Sequence, residues 1–197
     1  MWTRSLFACC FVLALGCAST PPPVESGPSS STPNQAQAQK TEPSDGTAPR
    51  PFTAEQIREA MPVGHQIRLK IEQEGKPAMI EHWTVTAAGA ESCTIASKVY
   101  AEDGKLVEDQ GSGTSKWTEL REHAAFPAEA TTIREGQVEV PAGKFEVVVY
   151  EVKRKNKEGA EQLLRFHFAK TLPGPPVFMV TEQQGREVGR MTLLERK

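Results

Sequence analysis

The run Val138-Glu139-Val140-Pro141-Ala142-Gly143-Lys144-Phe145-Glu146-Val147-Val148-Val149-Tyr150 constrains the fold of this chain more than any other stretch. Two β-favouring segments flank a turn in which Pro141 presets φ at the second position and Gly143 supplies a positive φ at the fourth. The pattern predicts a hairpin. Val147, Val148 and Val149 put apolar side chains on both faces of the second strand, so that strand is expected to be central and covered on each side.

Period-two patterning recurs along the chain. From His65 to Glu72 the residues alternate strictly, with odd positions inward and even positions outward, as in a strand with one solvated face. Glu74-Gly75-Lys76-Pro77 turns the chain into a second strand at about Met79 to Thr86, and a third follows at about Ser92 to Tyr100. There Cys93, Ile95 and Val99 share a face, which predicts a buried core thiol. The Asp103-Gly104 pair marks another hairpin turn. Further strands are expected at about Glu161 to Ala169, Val177 to Glu182 and Glu187 to Leu194.

Helical signals are few. Thr53-Ala54-Glu55-Gln56 matches a capping box, and Phe52 can staple onto Ile57, so a short helix is expected from about Ala54 to Met61. Trp117, Leu120 and Ala124 are spaced three and four apart, and Ser115 can cap a second helix over Lys116 to Ala124. Gly111-Ser112-Gly113 before it reads as a flexible connection, since it lacks the third glycine of a dinucleotide fingerprint and the Gly-Lys-Ser/Thr ending of a P-loop. The expected fold is mainly β (α+β). It has about eight or nine strands in a curled antiparallel meander sheet or a half-open barrel, with two short helices.

The 197 residues, 38% hydrophobic and 24% charged, suit one soluble domain, and the formal net charge of -2 argues against a nucleic-acid partner. That domain does not begin at Met1. Arg4 precedes an apolar run from Ser5 to Gly16, too short for a bilayer span of roughly 20 residues and suited to a signal peptide. Leu13-Ala14-Leu15-Gly16-Cys17 resembles the lipobox of bacterial lipoproteins, with Ala14 at the usual leucine position and the leucine displaced to Leu13. The resemblance implies that Cys17 carries a diacylglyceryl group and becomes the new N-terminus. Several acyl chains would hold the protein stably on a membrane, whereas one binds marginally. If the host is Gram-negative, Ala18 and Ser19 resemble residues compatible with sorting to the outer membrane, facing the periplasm.

Cys9 and Cys10 would leave with residues 1–16, so the mature chain would keep Cys93 as its one free thiol and form no internal disulfide. Residues 17–51 form the expected lipidated cysteine and linker, with Pro21-Pro22-Pro23 and Gln35-Ala36-Gln37-Ala38-Gln39 as low-complexity patches. As a coil of about 34 residues, the linker would span roughly 30 Å, or about 100 Å if extended as polyproline II. Residues 52–197 form the expected β-rich domain.

Val140-Pro141-Ala142-Gly143-Lys144-Phe145, Phe166-His167-Phe168-Ala169 and Leu172-Pro173-Gly174-Pro175-Pro176-Val177 together resemble a family of exported bacterial proteins of unknown function. In that family a Pro-Ala-Gly-Thr-Phe hairpin precedes an aromatic strand and a Leu-Pro turn; Lys144 replaces the threonine here. The likeness spans about Thr132 to Leu194 and implies no catalytic residue. The helix-then-meander layout is also similar to the lipoprotein-carrier and lipoprotein-receptor half-barrel, which implies a fold and not a function.

Catalytic signatures are lacking in the sequence. His65, His82, His123 and His167 fall on separate elements without H-E-x-x-H or paired-cysteine spacing, and there is no Gly-x-Ser-x-Gly elbow. No catalytic residue, metal or cofactor is expected, and the chain is read as a non-enzyme. Lys153-Arg154-Lys155-Asn156-Lys157 forms a basic hairpin tip that is either solvated or touches anionic head groups at about 1 kcal/mol per charge. Two functions remain open. One is a membrane-tethered binding or adaptor module for an envelope protein. The other is a carrier-type protein with an apolar cleft for a lipid or acyl chain, lined by Phe145, Val147, Phe166, Phe168 and Met179.

Overall fold

The structure, a computed structural model, describes residues 46–197. Nine strands form one sheet: β1 (Gln66–Gln73), β2 (Met79–Ala88), β3 (Ser92–Ala101), β4 (Leu106–Lys116), β5 (Thr131–Val140), β6 (Gly143–Lys155), β7 (Glu161–Ala169), β8 (Phe178–Gln183) and β9 (Arg186–Arg196). Their order is β4-β3-β2-β1-β9-β8-β7-β6-β5, antiparallel throughout. Two meanders, β1 to β4 and β5 to β9, are thus joined where the first strand pairs with the last. The sheet is not closed into a barrel, although it curls enough for β5 to touch β9 across three intervening strands.

The expected hairpin is β5–β6. Val140 pairs with Gly143 across Pro141-Ala142, and Gly143 has φ +138°, a conformation a side chain would strain. β6 is buried on both faces, with Val147 and Val149 on one and Tyr150 and Val152 on the other. Its place is second from the edge, not central, and its double cover accompanies the curl that brings β5 back to β9.

Helix α1 (Ala54–Ala60) starts at the expected capping box: the Thr53 hydroxyl accepts from Gln56 N–H at 3.1 Å, and Gln56 Oε1 accepts from Thr53 N–H at 2.8 Å. Helix α2 (Trp117–Glu122) is shorter than expected and starts after Lys116 rather than Ser115. Ser115 pairs with Cys93 inside β4, and Gly111-Ser112-Gly113 likewise belong to that strand rather than to a loop. The register shifts between Ser97 and Lys98, leaving Gln110 as the extra residue of a bulge. Gly111 takes the φ of +75° that the bulge requires.

Helices and flanks cover one face of the sheet. Register places Cys93, Val85, Ile67, Leu69, Leu193, Met191, Met179, Phe166 and Phe168 on that face, and Ile57, Met61, Trp117 and Phe126 join the same buried core. The chain packs against this core from Thr47, ahead of the expected start at Phe52. Thr47 bridges Pro127, Ala48 N–H donates to Phe126 C=O at 2.8 Å, and Arg50 pairs with Glu122.

Candidate functional site

The five residues expected to line one apolar cleft do not share a face. Tyr150 pairs with Phe166, Val148 with Phe168, and Phe166 with Met179, so Phe166, Phe168 and Met179 point toward the helices. Phe145 and Val147 alternate with Val148 and Tyr150 along β6 and therefore lie on the opposite face. The sequence shows the alternation of each strand. The parity that faces the helices is decided by Phe52 and Phe126, which arrive from distant segments.

Those rings occupy the space between sheet and helix flanks. Phe126 stacks on Phe166 with centroids 4.7 Å apart and lies 5.6 Å from Tyr150. Tyr150 meets Phe168 edge-on at 5.4 Å, and Phe52 closes the row against Phe168 at 6.1 Å. Such edge and offset contacts add about 0.5–1.5 kcal/mol per pair to the burial of the rings. The Tyr150 hydroxyl donates to Pro49 C=O at 2.7 Å, and burial pushes its pKa up to about 12.

A polar groove of about 620 Å³ lies at the other candidate position, where three hairpin tips meet. Gln73, Glu74 and Lys76 come from the β1–β2 turn, Asn156, Glu158 and Gln162 from β6–β7, and Gln183, Gln184, Arg186 and Val188 from β8–β9. Asn156 builds its own turn: Oδ1 accepts from Glu158 N–H at 3.0 Å and from Ala160 N–H at 2.8 Å. Gln183 Oε1 accepts from Gln162 Nε2 at 3.3 Å, and Arg186 pairs with Glu74 at 3.1 Å. Gln184 is the non-glycine residue with positive φ among the described residues, at 53°. Each turn is legible in the sequence. Their convergence is not, because it depends on the pairing of β1 with β9.

The titratable residues serve the fold. Arg196 is half-buried, and desolvation lowers its pKa to about 10. Its guanidinium donates to His65 Nε2 at 2.9 Å, Pro173 C=O at 2.7 Å, Ala60 C=O at 3.2 Å and Leu172 C=O at 3.3 Å. It thereby ties β9 to β1, to the end of α1 and to the β7–β8 connection. His65 is lowered by burial and then by Arg196. Burial also lowers His82 and His167 and raises the Cys93 thiol, which is 1% exposed. Among the described residues no group of three His, Cys, Asp or Glu side chains is placed to hold a metal ion, and no helix is long and apolar enough to cross a membrane. Cys17 lies outside the described residues.

Neither a protein-family model nor a curated protein matches the chain. Among solved structures it has a distant likeness to MucB in the Pseudomonas aeruginosa MucA/MucB complex, with TM-score 0.46 and 13% identity over 73% of this chain and 54% of that one. MucB in complex with MucA(peri) gives TM-score 0.43 and 14% identity over 73% and 53% of the two chains. MucB itself gives 0.44 and 12% over 73% and 56%. The chain spans about half the length of these structures.

Proposed function

We propose that this chain is an envelope lipoprotein, anchored through acylated Cys17, whose folded part is a non-catalytic binding module that works through its outer surface. The observation that carries the surface reading is the row Phe52, Phe168, Tyr150, Phe126 and Phe166, whose rings contact one another where an acyl chain would have to lie. Two of the cleft residues, Phe145 and Val147, are on the far side of the sheet from that row. The groove between the hairpin tips instead offers amides and balanced charges, chemistry suited to a polar segment of an envelope partner.

The anchor is supported by the apolar run ending in Gly16-Cys17 and by the low-complexity segment that separates it from Thr47. Acyl labelling and membrane fractionation of the full chain test it. The wild type carries label and sediments with membranes, and Cys17→Ser loses both. Label and membrane association that survive Cys17→Ser overturn the anchor.

A further inference from the structure

The β6–β7 hairpin is cationic, and the described chain begins beside it. Thr131 pairs with Val152, and its hydroxyl donates to the carbonyl of Pro127, the residue that Thr47 bridges. Residues 1–45 therefore join the fold beside the start of β5, level with Val152. Immediately past Val152 the β6–β7 hairpin runs on without β5 alongside it. Asn156 at its tip is four residues further, about 13 Å at about 3.3 Å per residue.

The projecting hairpin carries Lys153, Arg154, Lys155 and Lys157. All four are exposed, and none forms an ion pair among the described residues. Arg154 donates only to Gln162, whereas Arg134, Arg165, Lys170, Arg186 and Arg190 on the same half of the sheet each hold a carboxylate. Lys76 and Arg186 stand on the neighbouring tips, so the three tips bring together six cations and the carboxylates of Glu74, Glu158, Glu161 and Glu187, while the β3–β4 turn at the same end adds Glu102, Asp103 and Lys105. Arg186 spends its charge on Glu74, and Glu158 accepts from Asn156 Nδ2 at 2.8 Å.

We propose that the Lys153–Lys157 hairpin tip docks on the anionic phospholipid head groups of the leaflet that carries the anchor, holding the β6–β7 corner of the sheet against the bilayer. Two observations commit the surface to this occupant: its uncompensated positive charge, and the exit of the tether beside it. The orientation rests on the anchor at Cys17. The 28 residues from 18 to 45 reach at most about 100 Å, so an anchor at Cys17 keeps the domain within reach of the surface that its tip complements. Docking places the groove between the hairpin tips at the membrane surface, so a partner entering it would arrive along the bilayer and not from the open periplasm. The opposite end, with the Pro141-Ala142 turn and helix α2, faces away.

The test uses the mature chain, residues 17–197 with Cys17→Ser so that no acyl group contributes, in co-sedimentation with vesicles. Vesicles containing about a quarter phosphatidylglycerol in phosphatidylcholine bind the chain, vesicles of phosphatidylcholine alone do not, and raised salt releases it. The triple substitution K153E/K155E/K157E weakens binding by on the order of 100-fold. A charge-matched control at the opposite end, K116E/K144E/K170E, weakens it far less. Equal binding to both vesicle types, undiminished binding by the tip variant, or equal loss in the control each overturn docking. Circular dichroism confirms that both variants are folded. Failure of the anchor is read separately, from acyl labelling of the full wild-type chain, so either claim can fall without the other.

Discussion

The helix-covered face and the hairpin-tip end are built from different materials by the same strands. Along β6 and β7, Tyr150, Phe166 and Phe168 meet Phe52 and Phe126 in a packed row, whereas β6 ends in Lys153, Arg154 and Lys155 and leads through Asn156 into the turn to β7. A few residues along a strand separate the part that stabilises the domain from the part that is free to meet something else. Substitutions in the row should therefore change stability and leave surface binding intact, and substitutions at the tips should do the reverse.

The largest expected effect is at Phe168, which is 4% exposed and touches three other rings. Phe168→Ala should cost about 3–5 kcal/mol in urea denaturation, from lost burial and the cavity it leaves. A cost below about 1 kcal/mol would mean that the row is not tightly packed, and the contrast between the two regions would lose its basis. Next is Arg196→Met, which keeps much of the side-chain volume but strips the donors from Ala60 C=O and Pro173 C=O. It should cost about 1–3 kcal/mol by the same measurement. Thr53→Ala removes the α1 cap and should cost about 1 kcal/mol. At the tips, K153E/K155E/K157E should shift stability by no more than about 0.5 kcal/mol, because exposed residues outside such networks matter little to folding.

Acid should act on the half-buried histidines away from the tips. Burial is the leading cause holding His65, His82 and His167 below the ordinary histidine value. The unfolded chain then binds more protons than the folded one below about pH 6.5. The stability these residues contribute is full above that pH and is lost as pH falls through their lowered folded values. Urea midpoints should hold between about pH 7 and 8 and fall from about pH 6.5 toward 5. His65→Gln, which keeps an acceptor for Arg196 without a titrating ring, should flatten part of that fall. An unchanged slope would show that the His65–Arg196 contact is not its source.

What the sequence made legible was local. Pro141 and Gly143 announce the β5–β6 turn because the conformations they favour are the ones that the turn needs, and Thr53 with Gln56 announces α1 for the same reason. Gly111-Ser112-Gly113 misleads because a glycine in a bulge and a glycine in a loop look alike until the register of β3 is known. The five candidate cleft residues fail at the same point. Val147, Val148 and Val149 supply apolar side chains to both faces, so nothing local says which parity meets the helices. The groove depends on Gln73 and Gly189 meeting across β1 and β9, a pairing between residues far apart in the chain. The early start of the packed chain was hidden too, since Thr47, Ala48 and Arg50 attach through hydrogen bonds and the Arg50–Glu122 pair rather than through an apolar pattern.

Native mass spectrometry of the chain purified from a bacterial envelope by mild extraction tests most directly whether the domain works through its surface and not through an interior lipid. The account predicts the mass of the processed polypeptide plus covalent acyl groups at Cys17 and no further lipid. A stoichiometric lipid, held non-covalently and released on unfolding, would contradict it and would mean that the row from Phe52 to Phe166 opens to admit an acyl chain.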